Sequence, residues 1–283
     1  MIYQTLVSAR ELAAHRSDAR WRIIDCRFDL AAPESGAAAY ASGHLPGAVY
    51  AHLDRDLSAT RGPRDGRHPL PEPGALAARL GAWGVGPDTQ IVAYDESNGL
   101  YAARLWWMAR AIGHTAVAVL DGGLPAWRAL GLPLDTARPQ WPARHCPAPA
   151  RWPGTVDADQ LAELLAADRC RLLDARSAER FAGATEPIDP VAGHVPGARN
   201  FPMARALDAS GRMLAREALT ARLSEVTEGY APDALVCMCG SGVTACHTLL
   251  ALEVAGSAGA RLYPGSWSEW CRDPRRPVAT GAA

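Results

Sequence analysis

The feature that most constrains the fold of this 283-residue chain is an internal repeat. Four short segments of the first half recur in the same order in the second half. The matched segments are 21–27 with 170–176, 43–50 with 193–200, 90–109 with 234–253, and 118–127 with 260–270. Asp25 precedes Asp174 by 149 residues, and Gly43 precedes Gly193 by 150. Four ordered matches at nearly one offset indicate a duplicated domain.

A proline-rich stretch separates the two copies. Its six prolines are Pro133, Pro139, Pro142, Pro147, Pro149 and Pro153. Proline at this density blocks helix interiors and favours an extended chain. We therefore predict an N-terminal domain over 1–138, a linker over 139–153 and a C-terminal domain over 154–283.

Each copy alternates short apolar runs with helical patterns. In the second copy the predicted strands are 171–175, 234–238 and 260–263, and the predicted helices are 215–226, 242–253 and 266–271. Leu219, Leu223 and Val226 share one face of the first of these helices. Strand–helix alternation predicts an α/β fold, with a parallel sheet in each domain and helices on both of its faces. Ligands of such sheets bind beyond the carboxyl ends of the strands.

Composition narrows the classes of function. Hydrophobic residues make up 48% of the chain, which is typical of globular proteins, and the formal net charge is -1. A bulk nucleic-acid binder would usually show a basic excess, so no nucleic-acid partner is expected. Neither a secretory signal nor a run of about 20 apolar residues is evident, which predicts no membrane association. The seven cysteines are an odd number and predict free thiols in a reducing cytoplasm.

One cysteine stands at the mouth of a glycine-rich turn. Cys239 follows the predicted strand 234–238, and Gly240-Ser241-Gly242 leads from it into the next helix. Backbone N–H groups at such a helix start have no partner within the helix, and the helix dipole adds positive potential. The two glycines permit positive φ angles in a cradle of N–H groups. This arrangement favours a reactive thiolate or a bound anion.

The neighbouring cysteines carry less chemical signal. We interpret Cys237 and Cys246 as packing residues, since free cysteine is often a small buried hydrophobe. Spacing in this stretch matches no common zinc site, so no metal is predicted. A cysteine phosphatase is disfavoured because Ala245 stands six residues after Cys239, where an arginine would clamp phosphate. A Cys237–Cys239 redox switch is not expected, since residues i and i+2 of a strand lie near the limit for a disulfide.

The sequence resembles the rhodanese family, specifically its two-domain sulfurtransferases. The likeness covers nearly the whole chain and rests on five features. They are Asp-x-Arg after the first strand of each half, GHLPGA and GHVPGA, ARLWWMARAIGH at 103–114, CGSGVTA at 239–245, and YPGSWSEW at 263–270. The uncharged loop is similar to that of the 3-mercaptopyruvate type, because thiosulfate enzymes of the family typically carry Arg and Lys there.

The resemblance implies a two-step transfer. The Cys239 thiolate attacks the sulfur of a small anionic donor, and a persulfide forms within the loop. An acceptor, which is cyanide, a small thiol or a thioredoxin-like protein, then removes the outer sulfur. No cofactor is implied. In the first half Asp95 aligns with Cys239, and since a carboxylate cannot carry sulfane sulfur, the N-terminal domain is predicted to be non-catalytic.

The resemblance also implies roles for individual residues. Ser241 would act with Cys239 in catalysis, and Arg180 in SAERFAG would bind the donor anion. The remaining predicted substrate-binding residues are Gly240, Gly242, Val243, Thr244, Arg104 and His68. Asp54 aligns loosely with an acidic residue of the family. Arg27 and Arg176, with His44 and His194, are expected to be structural.

One departure leaves the donor open. Mercaptopyruvate enzymes often carry a second arginine after TEPEP, but this chain has no arginine between Glu186 and Gly193. Arg104 is a candidate to supply it. 3-Mercaptopyruvate is the predicted donor, and thiosulfate is the alternative. A sulfur-carrier module without turnover of its own is a further alternative.

Overall fold

The computed structural model describes residues 2–282 and divides them into two compact units. The first unit comprises the residues up to Ala59, Pro71–Pro153 and Ser210–Arg212. The second comprises Thr60–Leu70, Gly154–Ala209 and the residues from Met213 onward. The short segment Thr60–Leu70 therefore belongs to the second unit although it lies within the first half of the sequence. The predicted linker boundaries at 139 and 153 stay a prediction.

The first unit is built on a five-stranded parallel sheet. Its strands are β1 (Leu6–Val7), β2 (Trp21–Asp25), β3 (Val49–Tyr50), β4 (Gln90–Tyr94) and β5 (Val117–Leu120), in the order β1-β5-β4-β2-β3. Its helices are α1 (Ala9–Ala14), α2 (Ser35–Ser42), α3 (Leu53–Asp56), α4 (Pro73–Ala82), α5 (Ala102–Ala111) and α6 (Gly123–Ala129). The central strands β2 and β4 are buried along their whole length, which fits their nearly continuous apolar sequence.

The second unit has a four-stranded parallel sheet of related order. Its strands are β6 (Arg171–Asp174), β7 (Arg199–Asn200), β8 (Leu235–Met238) and β9 (Arg261–Leu262), in the order β7-β6-β8-β9. Its helices are α7 (Ala158–Ala166), α8 (Ala178–Ala182), α9 (Arg216–Thr227), α10 (Thr244–Val254) and α11 (Ser266–Trp270), with short 3₁₀ turns at Met203–Ala206 and Pro232–Ala234. The predicted α/β class with parallel sheets and flanking helices is confirmed.

The predicted elements of the second half agree closely with the structure. The helix expected at 215–226 is α9, and Leu219, Leu223 and Val226 are its buried residues. The helix expected at 242–253 begins two residues later, at Thr244, because the chain first completes the glycine turn. Val236, Met238 and Trp267 belong to the apolar core of this unit. That core fixes the position at which β8 ends, and so the position of Cys239.

The repeated Asp-x-Arg motif makes the same bonds in both units. Arg27 donates from Nη2 to Asp25 Oδ2 at 2.6 Å and to the carbonyl of Gly43 at 2.8 Å. In the second unit Arg176 Nη2 donates to Asp174 Oδ2 at 2.7 Å and to the carbonyl of Gly193 at 2.8 Å. Each buried arginine thus ties the end of a central strand to the G-H-x-P-G turn. A role in both copies supports the structural interpretation of these arginines.

The histidines of the two G-H-x-P-G turns are also bound to backbone. His44 Nδ1 lies 2.7 Å from the carbonyl oxygen of Tyr40, and His194 Nδ1 lies 2.8 Å from that of Phe181. Each imidazole stacks on the aromatic ring of the same partner. Within residues 2–282, no helix is both long and apolar enough to span a bilayer.

Candidate active site

The candidate nucleophile lies at the carboxyl end of the central strand β8. Cys239 directly follows Met238, the last residue of that strand, and its exposed fraction is 2%. Its backbone N–H donates to Ser266 Oγ at 3.1 Å, and its carbonyl accepts the N–H of Trp267 at 3.0 Å. The carbonyl of Gly240 accepts the N–H of Ser268 at 2.9 Å. The GSWSEW segment therefore fixes the backbone on which the thiol stands.

Ser266 holds an unusual backbone conformation to make this contact. Its φ is 53°, in the left-handed region that residues other than glycine seldom adopt. Its hydroxyl accepts from Cys239 and donates to the carbonyl of Tyr263 at 2.9 Å, so the hydroxyl links β8 to the end of β9. Ser266 is fully buried. A strained residue at this point is consistent with a site whose geometry is fixed by its surroundings.

The two loop glycines are needed for different reasons. Gly242 has a φ of 76°, and a Cβ placed on it would lie 2.4 Å from the carbonyl oxygen of Pro264. Gly240 lies outside the left-handed region, so of the two glycines that permit a positive φ only Gly242 adopts one. A Cβ on Gly240 would instead lie 2.9 Å from Arg67 Nη2. Gly242 therefore shapes the turn, whereas Gly240 leaves space for a guanidinium.

A serine–histidine pair lies in the same loop. Ser241 Oγ lies 2.7 Å from His68 Nδ1, and both residues are buried, with exposed fractions of 6% and 5%. His68 reaches this position because Thr60–Leu70 belongs to the second unit. The predicted residues Cys239, Ser241 and His68 thus lie in one unit, with Ser241 two residues from the thiol. A neutral imidazole paired with a hydroxyl can accept or return a proton.

Two guanidinium groups lie against the loop backbone at Gly240. Arg67 Nη2 is 2.9 Å and Arg180 Nη1 is 3.5 Å from the position of a Cβ on that residue. Arg180 comes from α8, and Ser177 caps that helix through a hydrogen bond from the Arg180 N–H. Arg67 comes from Thr60–Leu70, and its N–H donates to Ser268 Oγ at 2.9 Å. The site therefore presents two cations beside the residue that follows the thiol.

Two buried carboxylates hold these arginines. Glu186 accepts from Arg180 at 2.7 Å, and Asp189 accepts from Arg180 at 3.2 Å and from Arg67. Burial opposes ionisation of Glu186, but hydrogen bonds from Arg180 and from backbone N–H groups lower its pKa overall. For Asp189 burial outweighs the favourable charge of Arg67, and its pKa is raised.

The equivalent loop of the first unit is occupied by a carboxylate. Asp95 follows β4 directly and is fully buried. Its two carboxylate oxygens accept four backbone N–H groups, those of Ser97 (2.8 Å), Gly99 (2.9 Å), Tyr101 (2.8 Å) and Ala102 (2.9 Å). Burial nevertheless raises the pKa of Asp95, and the four hydrogen bonds oppose that rise. This loop is a cradle of N–H groups closed on its own side chain.

The other predicted site residues divide between the units. Val243 and Thr244 lie at the start of α10, in the same loop as Cys239. Arg104 lies on α5 of the first unit, where it is fully buried and its Nη2 is 3.4 Å from the carbonyl of Leu57. Asp54 lies on α3 of the first unit. The assignment of substrate contacts to these residues stays a prediction.

Sequence reasoning missed Arg67 and Asp189. The signal for Arg67 was its place next to His68, and the signal for Asp189 was its place between Glu186 and Gly193. Neither signal was sufficient to predict the contact between the two residues, because they are 122 positions apart in the sequence. Short-range patterns do not report such a contact.

The other cysteines are buried, and none is in a disulfide. Cys237 and Cys246 are fully buried, which agrees with a packing role, and burial raises the pKa of the Cys237 thiol far above its usual range. Cys246 Sγ lies 3.3 Å from the carbonyl oxygen of Gly242. Within residues 2–282, no cluster of three or more His, Cys, Asp or Glu side chains is arranged to hold a metal ion.

Comparison with known proteins identifies the class to which this fold and site belong. The model of the rhodanese-like domain matches the chain twice, at residues 8–130 and 157–273. The chain belongs to the rhodanese family and has two tandem domains of that type. The predicted membership is confirmed, and the matched ranges coincide with the two halves of the internal repeat.

Individual relatives agree over the full length. A probable 3-mercaptopyruvate sulfurtransferase of Pseudomonas aeruginosa is 48% identical over 98% of both chains. A putative thiosulfate sulfurtransferase SseB of Mycobacterium tuberculosis is 41% identical over 99% of this chain and 98% of that one. The solved 3-mercaptopyruvate sulfurtransferase from Leishmania major superposes with a TM-score of 0.86, is 31% identical, and is matched over 97% of this chain and 76% of its own. The chain is a sulfurtransferase, as predicted, with sulfur donors and acceptors as its substrates.

Proposed function

We propose that this sulfurtransferase takes sulfur from 3-mercaptopyruvate and carries it as a persulfide on Cys239. The observation that supports this donor is the loop from Cys239 to Thr244, which has no charged side chain, together with the two guanidiniums beside Gly240. 3-Mercaptopyruvate carries one carboxylate and a neutral thiol. A guanidinium matches a carboxylate through two parallel hydrogen bonds, so the charged end of the donor would bind at the arginines and its sulfur would face Cys239.

In the first step a sulfur–sulfur bond forms and a carbon–sulfur bond breaks. The Cys239 thiolate attacks the donor sulfur, and the electron pair of the broken bond passes to carbon as pyruvate enolate. A proton then converts the enolate into pyruvate. Ser241, whose Oγ is 2.7 Å from His68 Nδ1, is in place to pass that proton. The products of this step are pyruvate and the Cys239 persulfide.

In the second step an acceptor nucleophile attacks the outer sulfur. Cyanide would leave as thiocyanate, and a thiol would leave as a persulfide of its own. The Cys239 thiolate is regenerated in either case, so ping-pong kinetics are expected. A thioredoxin-like protein or a small thiol is the proposed acceptor in the cell. We place the reaction in the cytoplasm, because the free cysteines suit a reducing compartment.

Thiosulfate is the second candidate donor, and a specific observation favours it. The relative from Mycobacterium tuberculosis is named for thiosulfate, whereas that from Pseudomonas aeruginosa is named for 3-mercaptopyruvate. The test compares kcat/KM for the two donors with cyanide as the acceptor. A higher value for 3-mercaptopyruvate is expected, and a higher value for thiosulfate would overturn the proposed donor.

A second measurement distinguishes an enzyme from a sulfur carrier that has no turnover of its own. Mass spectrometry of the intact protein after treatment with 3-mercaptopyruvate should show the mass of one added sulfur, located on the peptide that contains Cys239. Rapid loss of that mass on addition of cyanide or a small thiol is expected of an enzyme. A persulfide that persists in the presence of both acceptors would indicate a carrier.

A further inference from the structure

Asp189 occupies a position between the two arginines that face the nucleophile loop. One carboxylate oxygen pairs with Arg67 and the other with Arg180. The exposed fraction of the Asp189 side chain is 4%, so its charge is little screened by water. Both guanidiniums also approach Gly240. A carboxylate of the protein is thus already bound where two cations meet the residue that follows Cys239.

The charges around Asp189 balance. The ion pairs connect three guanidiniums with three carboxylates, those of Arg67, Arg176 and Arg180 with those of Asp174, Glu186 and Asp189. We call these six residues the arginine–carboxylate cluster. Its formal charge is zero when all six groups are ionised. A donor that binds beside it therefore meets directed N–H groups but no excess positive charge.

The cluster retains capacity to bind an anion. The Arg67 Nε–H is buried, and within residues 2–282 it has no hydrogen-bond partner. A guanidinium has five N–H donors, and one carboxylate cannot engage all of them. A buried donor without a partner costs free energy in the empty protein, and an arriving acceptor removes that cost. Arg67 is therefore suited to receive a second acceptor while Asp189 stays bound.

We propose that Arg67 is a donor-binding residue and that Asp189, held between Arg67 and Arg180, selects monoanionic donors over dianionic ones. The inference rests on the proposed sulfurtransferase reaction and adds to it the residue that sets the donor charge. A monoanion needs only the directed N–H groups of the two arginines. A dianion such as thiosulfate brings a second charge that the neutral cluster does not compensate, and the desolvation penalty rises steeply with charge.

The decisive experiment removes the charge of Asp189 and keeps its shape. Asp189→Asn gives the cluster one net positive charge, and it should raise the ratio of kcat/KM for thiosulfate to that for 3-mercaptopyruvate about tenfold. Asp189→Glu retains the charge and should leave the ratio near the wild-type value. Glu225→Gln is the matched control, because it removes one carboxylate from an exposed ion pair with Arg205 on the surface of the same unit.

A second variant keeps the proposal testable if Asp189→Asn folds poorly. Arg67→Gln changes the cluster charge in the opposite direction and removes donor-binding N–H groups. It should raise KM for both donors and lower the ratio of thiosulfate to 3-mercaptopyruvate efficiency. Arg67→Lys keeps the charge and should restore the ratio, although not the full affinity for 3-mercaptopyruvate.

The outcomes separate this inference from the proposed donor. If Asp189→Asn lowers kcat/KM equally for both donors, the ratio stays unchanged and Asp189 only holds the arginines in place. The inference would then be wrong, whereas the proposed sulfurtransferase reaction would stand. A ratio that shifts equally in Glu225→Gln would also overturn it. Wild-type preference for thiosulfate would instead overturn the proposed donor, whatever the variants do.

Discussion

The loops that follow β4 and β8 occupy equivalent places in the two sheets, but one closes on its own carboxyl group and the other carries the candidate nucleophile. Asp95 follows β4 and is bound by four backbone N–H groups of its own loop. Cys239 follows β8, and four residues lie between it and the first residue of α10, whereas six lie between Asp95 and the first residue of α5. The longer loop wraps around its own carboxylate. The shorter loop begins with the thiol that we propose carries the second sulfur.

The comparison shows how a duplicated domain can divide its tasks. In the first loop the N–H groups bind a carboxyl group of the same loop and so stabilise the fold. In the second, Cys239 stands at the position of Asp95, and the charge of its thiol changes in the proposed reaction. We therefore expect the residue after β4 to contribute to stability and the residue after β8 to chemistry, and variants of the two residues should separate these effects.

The largest expected effect is the loss of sulfur transfer in Cys239→Ser. Without the thiolate no persulfide can form, so kcat/KM should fall more than about a thousandfold with either donor. Measurement of thiocyanate production from cyanide provides the readout. Cys237→Ala, two residues earlier and within β8, is the control and should retain turnover. Substantial activity in Cys239→Ser would contradict the mechanism.

The next effect concerns the pair of Ser241 and His68 in the second unit. Ser241→Ala and His68→Gln should each lower kcat with 3-mercaptopyruvate about a hundredfold, because each interrupts the same proton path. The double variant should be little worse than either single one, since coupled residues are not additive. Independent, multiplying losses in steady-state kinetics would show that the two side chains do not act together.

The third expected effect is a loss of stability when Asp95 of the first unit is replaced. Asp95→Ala removes the acceptor of four buried N–H groups and should reduce the free energy of unfolding by about 3 kcal/mol. Cys239→Ala is the matched change in the second unit, and it should cost about 1 kcal/mol because only a small side chain is lost. Chemical denaturation of both variants makes the comparison. Equal losses would mean that the two loops are not specialised as described.

The smallest expected effect is the contribution of Asp95 to the pH dependence of the free energy of unfolding. Burial raises its pKa in the folded protein above the unfolded value, so the folded state binds the proton more tightly. Stability from this group is therefore present at pH values below the unfolded pKa and is lost as pH rises through the folded pKa. The difference in unfolding free energy between wild type and Asp95→Asn isolates this contribution, because asparagine does not titrate. Wild type should lose stability relative to the variant as pH rises, and the opposite slope would contradict the assignment.

Much of the molecule was predictable because its signals are local or repeated. The strand before Cys239 and the helix after it were visible in sequence, and the comparison with Asp95 singled out Cys239 among seven cysteines. The pairing of His68 with Ser241 spans 173 positions, and that of Arg67 with Asp189 spans 122. Such contacts arise from tertiary folding, so the sequence indicated Ser241 and His68 but not their contact, and it indicated neither Arg67 nor Asp189.

The segment Thr60–Leu70 has a consequence for how the protein can be divided. Because it belongs to the second unit, a fragment cut at the proline-rich stretch and beginning at Gly154 would lack both Arg67 and His68. During synthesis these residues emerge early, and they must wait until Ser241 and Ser268 have left the ribosome before the contacts of Arg67 and His68 can form. The sequence contains two domains in tandem, yet its candidate active site is complete only when almost the whole polypeptide has been made.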